Sequence, residues 1–141
     1  MVEKIVVDTN ILINVLIGDR DSASRMLFRK CFHGEYQPLM SNALFSEYCD
    51  VINREKIVQL CPLDLETKTK LLSAFMSVCQ WVKVYYLWRP NLIDEADNHL
   101  IELAIAGNAS KIVTRNLKDF QRSQLKFPQL KFQTPEQLLT D

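Results

Sequence analysis

The sequence predicts an α/β fold with a central, mostly parallel sheet of about five strands and helices on both faces. Three observations predict it. Short apolar runs alternate with stretches of helical periodicity from one end of the chain to the other. Cap and turn residues fall between them. An aspartate directly follows the first apolar run, at the strand end where a parallel sheet opens the crevice that holds its ligands.

The first strand is Lys4 to Val7, closed by Asp8-Thr9-Asn10, which also reads as turn and cap chemistry for the next helix. Helices are predicted over Ile11 to Leu16 and Asp21 to Phe32, with Gly34 as the stop of the second. Gln37 to Met40 is the next strand and Asn42 to Asn53 the helix after it. Cys61 to Asp64 reads as a loop, Leu65 to Cys79 as a helix and Val82 to Leu87 as a strand. The aromatic run Trp81 to Trp88 has two readings, a buried strand or a base-stacking platform, and the strand is preferred. A longer loop over Arg89 to Ile93 leads to a helix over Asp94 to Ala106, stopped by Gly107. Lys111 to Thr114 and a short Lys131 to Gln133 are the last strands. Thr134 as cap, Pro135 in the first helical position and Glu136 behind it signal a closing turn. No repeat, linker or low-complexity tract intervenes, so residues 1–141 read as a single domain.

A chain of 141 residues, 48% apolar, can bury one good core. Its 17 basic and 17 acidic residues cancel, which argues against holding a polyanion by bulk charge. The bases are unevenly placed, however. Lys111, Arg115, Lys118, Arg122, Lys126 and Lys131 share their segment with one acid, Asp119, as either a phosphate-facing rim or an ordinary solvated surface. Cys31, Cys49, Cys61 and Cys79 form no C-x-x-C pair, and His33 and His99 are the only histidines, so a zinc site is not expected. The cysteines fit reduced core thiols of a cytoplasmic protein. No signal pattern opens the chain and no apolar run approaches the ~20 residues that span a bilayer, so a soluble, cytoplasmic protein is expected.

Three carboxylates stand out. Leu100, Ile101 and Ala104 lie three, four and seven residues after Asp97, which puts Asp97 on the inward face of its helix. A buried unpaired carboxylate costs several kcal/mol, so Asp97 needs a cation, a set of donors or a cleft, unless it is the helix cap itself. Glu47 sits at the edge of the stripe formed by Leu44, Tyr48, Val51 and Ile52, in a helix that follows a strand. Asp8 closes the first strand. Three acids in one crevice repel one another, and a hard divalent cation, Mg²⁺ or Mn²⁺, relieves that while binding carboxylate oxygens, water and phosphate. Such a site activates water and stabilises phosphoryl charge, the chemistry of phosphodiester hydrolysis. The chain offers no Gly-rich phosphate loop and no Ser-x-Gly elbow for the competing mechanisms.

These pieces resemble the PIN-domain nucleases, specifically the VapC-like toxins of bacterial and archaeal toxin-antitoxin pairs. The resemblance rests on Val-Val-Asp8-Thr9-Asn10, Ser41-Asn42-Ala43 leading to Glu47, Asp97-Asn98-His99-Leu100-Ile101-Glu102-Leu103-Ala104, Ile112-Val113-Thr114-Arg115-Asn116-Leu117-Lys118-Asp119-Phe120, and Thr134-Pro135-Glu136. They run in the family's order over nearly the whole chain. The resemblance implies a three-layer fold and Mg²⁺- or Mn²⁺-dependent endonucleolytic cleavage of single-stranded RNA. It also implies a homodimer held silent by an antitoxin, and a peptide that inserts a basic side chain among the acids would do so by replacing the metal's charge. Carried over by position, Asp8, Glu47 and Asp97 are the metal-binding acids and Thr114 the hydroxyl residue beside them. Many members have a further acid where this chain has Asn116, and Asp119 follows three residues later. Arg115, Lys118 and Arg122 are the expected contacts to the RNA backbone. Asp94 competes with Asp97 for the third acidic position. Two other readings remain open, a catalytically silent PIN fold that binds RNA or protein, and a phosphatase with Asp8 as nucleophile. The latter is disfavoured because Asn10 stands where an Asp-x-Asp pair would place its second acid.

Overall fold

A strand hydrogen-bonded on both edges and covered on both faces must be apolar throughout, and Ile5, Val6 and Val7 of β1 (Glu3–Val7) are all fully buried. The computed structural model describes residues 2–18, 22–84 and 95–140, without the side chains of residues 95–98, 122 and 124. After β1 come α1 (Thr9–Ile17), α2 (Ala23–Phe32), β2 (Tyr36–Met40), α3 (Asn42–Asn53), α4 (Glu55–Leu60), α5 (Leu65–Val78) and β3 (Gln80–Trp81). The chain continues through α6 (Glu95–Ala106), β4 (Lys111–Val113), a 3₁₀ turn (Leu117–Phe120), α7 (Gln121–Lys126), β5 (Lys131–Gln133) and α8 (Pro135–Thr140).

The five strands form one parallel sheet in the order β3-β2-β1-β4-β5. The chain adds strands outward on one side of β1 and then returns to add β4 and β5 on the other. The sheet therefore reverses direction between β1 and β4, and open α/β sheets hold ligands at the carboxyl ends of strands at such a reversal. Val7 is in register with Val113 there, so the next residues, Asp8 and Thr114, stand side by side. The ladder runs into them, with Asp8 N–H donating to Val113 O at 3.0 Å and Thr114 N–H to Gln133 O at 2.9 Å.

Aromatic packing fixes α3 against the sheet. Phe28 of α2 stacks on Phe75 of α5 with centroids 4.4 Å apart, and Tyr48 of α3 lies 5.9 Å from the same ring. The fully buried Tyr48 hydroxyl donates to Val7 O at 2.6 Å, tying α3 to the last residue of β1. At the far end of α3, the buried Lys68 Nζ donates to Ile52 O at 3.1 Å, a cation on an otherwise open helix C-terminus.

Most predicted elements are found within two residues of their expected ends, but the strand expected after α5 differs, and α4, the 3₁₀ turn and α7 are not expected from the sequence. Of the expected strand Val82 to Leu87, Val82 to Val84 are not strand, β3 having ended at Trp81, and residues 85–94, with the expected loop and Asp94, lie outside the described residues. α4 escapes the sequence because a six-residue helix with only Ile57 buried presents no periodicity to read. Gly107 does end α6, but the left-handed residue is Asn108 (φ 59°), with Ala109 N–H closing back on Ala104 O at 2.8 Å. Glycine at 107 leaves room for its neighbours, since a Cβ there would lie 2.4 Å from Leu39 Cδ1 and 3.1 Å from Val82 Cγ2, and the leucine end would have to shift. Gly34, by contrast, takes the left-handed turn (φ 78°) that its stop signal implies. All four cysteines are free, with Cys31 and Cys61 buried.

A candidate metal centre at the sheet reversal

Asp8 occupies the N-cap position of α1, yet its side chain does not cap that helix. The carboxylate is buried to 9% exposure, and Oδ2 accepts from Thr114 Oγ1 at 2.8 Å and from Asn10 Nδ2 at 3.2 Å. Asn10 Nδ2 also lies 3.1 Å from Thr114 Oγ1, and the Asn116 amide donates to that oxygen at 3.1 Å. Thr114 thus receives two donors on its lone pairs, so its single proton is directed at Asp8 Oδ2. The Asn10 amide cannot flip, because its Oδ1 accepts from the Arg115 N–H at 3.1 Å. Oδ2 is committed to this network, whereas Oδ1 turns to Thr9, whose Oγ1 makes a long 3.4 Å contact with it. The network turns one oxygen of Asp8 inward and leaves the other outside it.

Burial pushes the Asp8 carboxyl up, the Thr114 hydrogen bond opposes this, and the charge of Glu47 adds to the rise; the net result is above the ordinary aspartate range. Glu47 is half-buried on α3, next to Tyr48. Its Oε1 lies 2.9 Å from Nε2 of His99, which α6 supplies. A carboxylate only accepts, so Nε2 carries the proton toward Glu47, and Nδ1 is buried without a partner among the described residues. Among the described residues no Lys or Arg pairs with Asp8 or Glu47. Hard oxygen donors with uncompensated charge suit Mg²⁺ or Mn²⁺.

Asp97 lies in the first turn of α6, inside the helix rather than ahead of it as a cap would be, and two residues before His99. Its side chain, like that of Arg122 and the whole of Asp94, lies outside the described residues. Among the described residues no three His, Cys, Asp or Glu side chains gather closely enough to hold a metal ion. Asn116 and Asp119 are both exposed, Asn116 just before the 3₁₀ turn and Asp119 within it. Arg115 follows Thr114 but is engaged elsewhere, with Nη1 on Glu136 of α8 and Nη2 on Ser24 Oγ of α2 at 3.0 Å. Lys118 is exposed on the 3₁₀ turn. The basic segment does not form one rim, because Lys111 and Lys131 begin β4 and β5, at the strand ends opposite the site, and Lys111 pairs with Glu3 at 3.4 Å.

Sequence reasoning passes over Asn10, Tyr48 and His99. Asn10 has a legible signal, since an amide two residues past a strand-ending acid can return to it. His99 stands within an unbroken buried run from 99 to 104, in which a polar residue calls for a partner, but that partner comes from another helix.

The family model described as a PIN domain matches residues 4–118. The chain belongs to the PIN domain family. Comparison with curated proteins finds no match. Among solved structures, this PIN domain is similar to a chain of the crystal structure of VapBC2 from Rickettsia felis bound to a DNA fragment from their promoter. The TM-score is 0.63 at 19% identity, over 93% of this chain and 98% of that one. At that identity the likeness speaks for the fold. No helix among the described residues of the PIN domain is long and apolar enough to cross a membrane.

Proposed function

We propose that this PIN domain is a Mg²⁺- or Mn²⁺-dependent endoribonuclease that cleaves single-stranded RNA in the cytoplasm, as the toxin of a toxin-antitoxin pair. The observation that carries the reading is the Asp8 carboxylate. It is buried at the sheet reversal and fixed through Oδ2, with Glu47 near enough to raise its proton affinity and no Lys or Arg among the described residues to neutralise either. Asp8, Glu47 and Asp97 would hold the metal. Asp97 earns its place from its register on α6, two residues before the histidine that meets Glu47. When bound, the metal supplies an activated water and stabilises charge on the phosphoryl group.

The chain's own residues do the rest. Thr114 and Asn10 fix the orientation of Asp8, and His99 fixes Glu47. Asn116 and Asp119, exposed just beyond Thr114, orient water or complete the acidic set. Lys118 and Arg122 hold the RNA backbone, with Arg115 joining them where substrate phosphate competes with Glu136. A homodimer and an antitoxin partner are what the family resemblance implies, the likeness to VapBC2 supports the antitoxin partner, and a basic side chain on that partner would offset the charge of the acids. Val58, Leu60, Leu63 and Leu65 leave an apolar patch exposed around α4, of the kind a protein partner covers.

Purified protein incubated with labelled single-stranded RNA tests the reading. Cleavage is expected with Mn²⁺, none with chelator, and none from Asp8→Asn at any metal concentration. Asp97→Asn should behave like Asp8→Asn. Expression without a partner should arrest growth for wild type and not for either variant. Wild-type cleavage rates from Asp8→Asn would overturn the assignment, and RNA binding without cleavage would leave a silent fold.

A further inference from the structure

The aromatic run that begins at Trp81 is the feature the nuclease reading leaves unused. Its apolar content predicts a buried strand, yet both residues of β3 are exposed and Trp81 keeps 47% of its surface open. Its ring is held from one side by Phe45 of α3, with centroids 5.6 Å apart and planes inclined at 59°. Trp81 borders a cavity of about 480 Å³ lined by Ser41, Asn42, Val82, Lys83 and Val84. Ser41 caps α3, accepting from the Leu44 N–H at 3.2 Å, and Asn42 adds an exposed amide to the lining.

We propose that this cavity is a nucleobase subsite for the single-stranded RNA substrate, an inference that rests on the ribonuclease reading and deepens it. The indole offers a stacking face, and the Asn42 amide a donor and an acceptor for a base edge. A cavity of this volume falls in the range that small-molecule ligands occupy. Its place in the sheet supports the same assignment. Ser41 follows β2 and Val82 follows β3, so the cavity opens on the strand ends that carry Asp8 and Thr114. With strands spaced about 4.8 Å apart, β3 stands roughly 10 Å from β1 across the sheet, close enough for a base near the scissile phosphate. Its lining is concave and mixed, an aromatic face beside an amide, whereas a protein partner is better suited by the apolar patch around α4.

The test is binding of a short fluorescein-labelled single-stranded RNA, read by anisotropy in chelator so that cleavage is suspended. Trp81→Ala should weaken binding by about tenfold or more, the scale of one base-aromatic stack, and Trp81→Phe should recover most of it. RNA should quench the tryptophan emission of wild type, and the quench should be lost in Trp81→Phe, in which Trp88 still reports. With metal restored, Trp81→Ala should raise KM and leave kcat near wild type, with an unchanged Tm. Affinity within twofold of wild type in Trp81→Ala overturns the subsite while leaving the ribonuclease reading intact if wild type still cleaves. A changed oligomeric state in Trp81→Ala with unchanged RNA affinity overturns it in favour of a protein-docking face. If wild type neither binds nor cleaves single-stranded RNA, both fail together.

Discussion

Thr114 has one proton and three polar neighbours, and that imbalance organises the site. Two of the neighbours, the Asn10 amide and the Asn116 N–H, are donors, so the hydroxyl proton goes to Asp8. Replacing the hydroxyl by a methyl in Thr114→Val keeps the volume but leaves two donors and a carboxylate oxygen without their partner. We expect a stability loss of about 1–3 kcal/mol by denaturant titration, and Thr114→Ser should restore most of it. Asp8 itself gives the opposite sign. Its carboxyl is held above the ordinary range chiefly by burial, so ionising it at neutral pH works against the fold. Asn is nearly the same shape and its amide oxygen still accepts from Thr114. Asp8→Asn should therefore be more stable than wild type in chelator, by about 1 kcal/mol, in keeping with functional sites held at a cost in stability. A destabilised Asp8→Asn would mean that the aspartate serves the fold rather than a ligand.

Tyr48 and Arg115 each join elements that are far apart in the sequence. Tyr48→Phe removes only the hydroxyl that links α3 to Val7, with an expected cost of about 1–2 kcal/mol. Because that bond also sets Glu47 relative to Asp8, Mn²⁺ affinity measured by calorimetry should fall as well. Arg115 joins the end of β4 to α8 through Glu136. Partial burial is the largest single influence and raises the Glu136 carboxyl, but the Arg115 hydrogen bond and charge, with hydrogen bonds from the α8 backbone and Thr134, together outweigh it and the net shift is downward. A depressed carboxyl stabilises the fold above its unfolded pKa of about 4.3 and loses that contribution as pH falls through the folded value. The stability gap between wild type and Glu136→Gln should be small at neutral pH, about 0.5 kcal/mol for so exposed a pair, and should close below about pH 4. Periodicity and caps make β1, α3, α5, α6 and β5 legible, since each depends on local spacing. β3 is misjudged because apolar content alone does not separate a buried strand from a short edge strand with an open tryptophan. The partners of Thr114, Tyr48 and His99 are beyond reach for a different reason: each bond spans more than 40 residues, and no local pattern encodes it.

Strand order is the least legible property of the whole molecule, and it decides what stands beside Asp8. Nothing in the spacing of β4 says that it pairs with β1 rather than continuing outward beyond β3, yet only the observed order puts Thr114 beside Asp8. The proposed ligands, residues 8, 47 and 97, lie at a strand end and on two helices far apart in the sequence, so the unfolded chain has no comparable site. A metal that binds only the folded state stabilises it by RT ln(1 + [M]/Kd), about 2.7 kcal/mol when the metal is a hundredfold above its Kd. For a chain of this size that corresponds to a rise in Tm of roughly 10 °C. Titrating Mn²⁺ or Mg²⁺ into chelator-treated wild type should raise Tm along this logarithmic curve. Asp8→Asn, the more stable protein in chelator, should respond far less, so that the two melting curves converge and then cross. Ca²⁺ at the same ionic strength separates specific binding from screening, because screening would shift both proteins alike. Equal shifts in wild type and Asp8→Asn would remove Asp8 from the metal site and leave the sheet reversal without the ligand proposed for it.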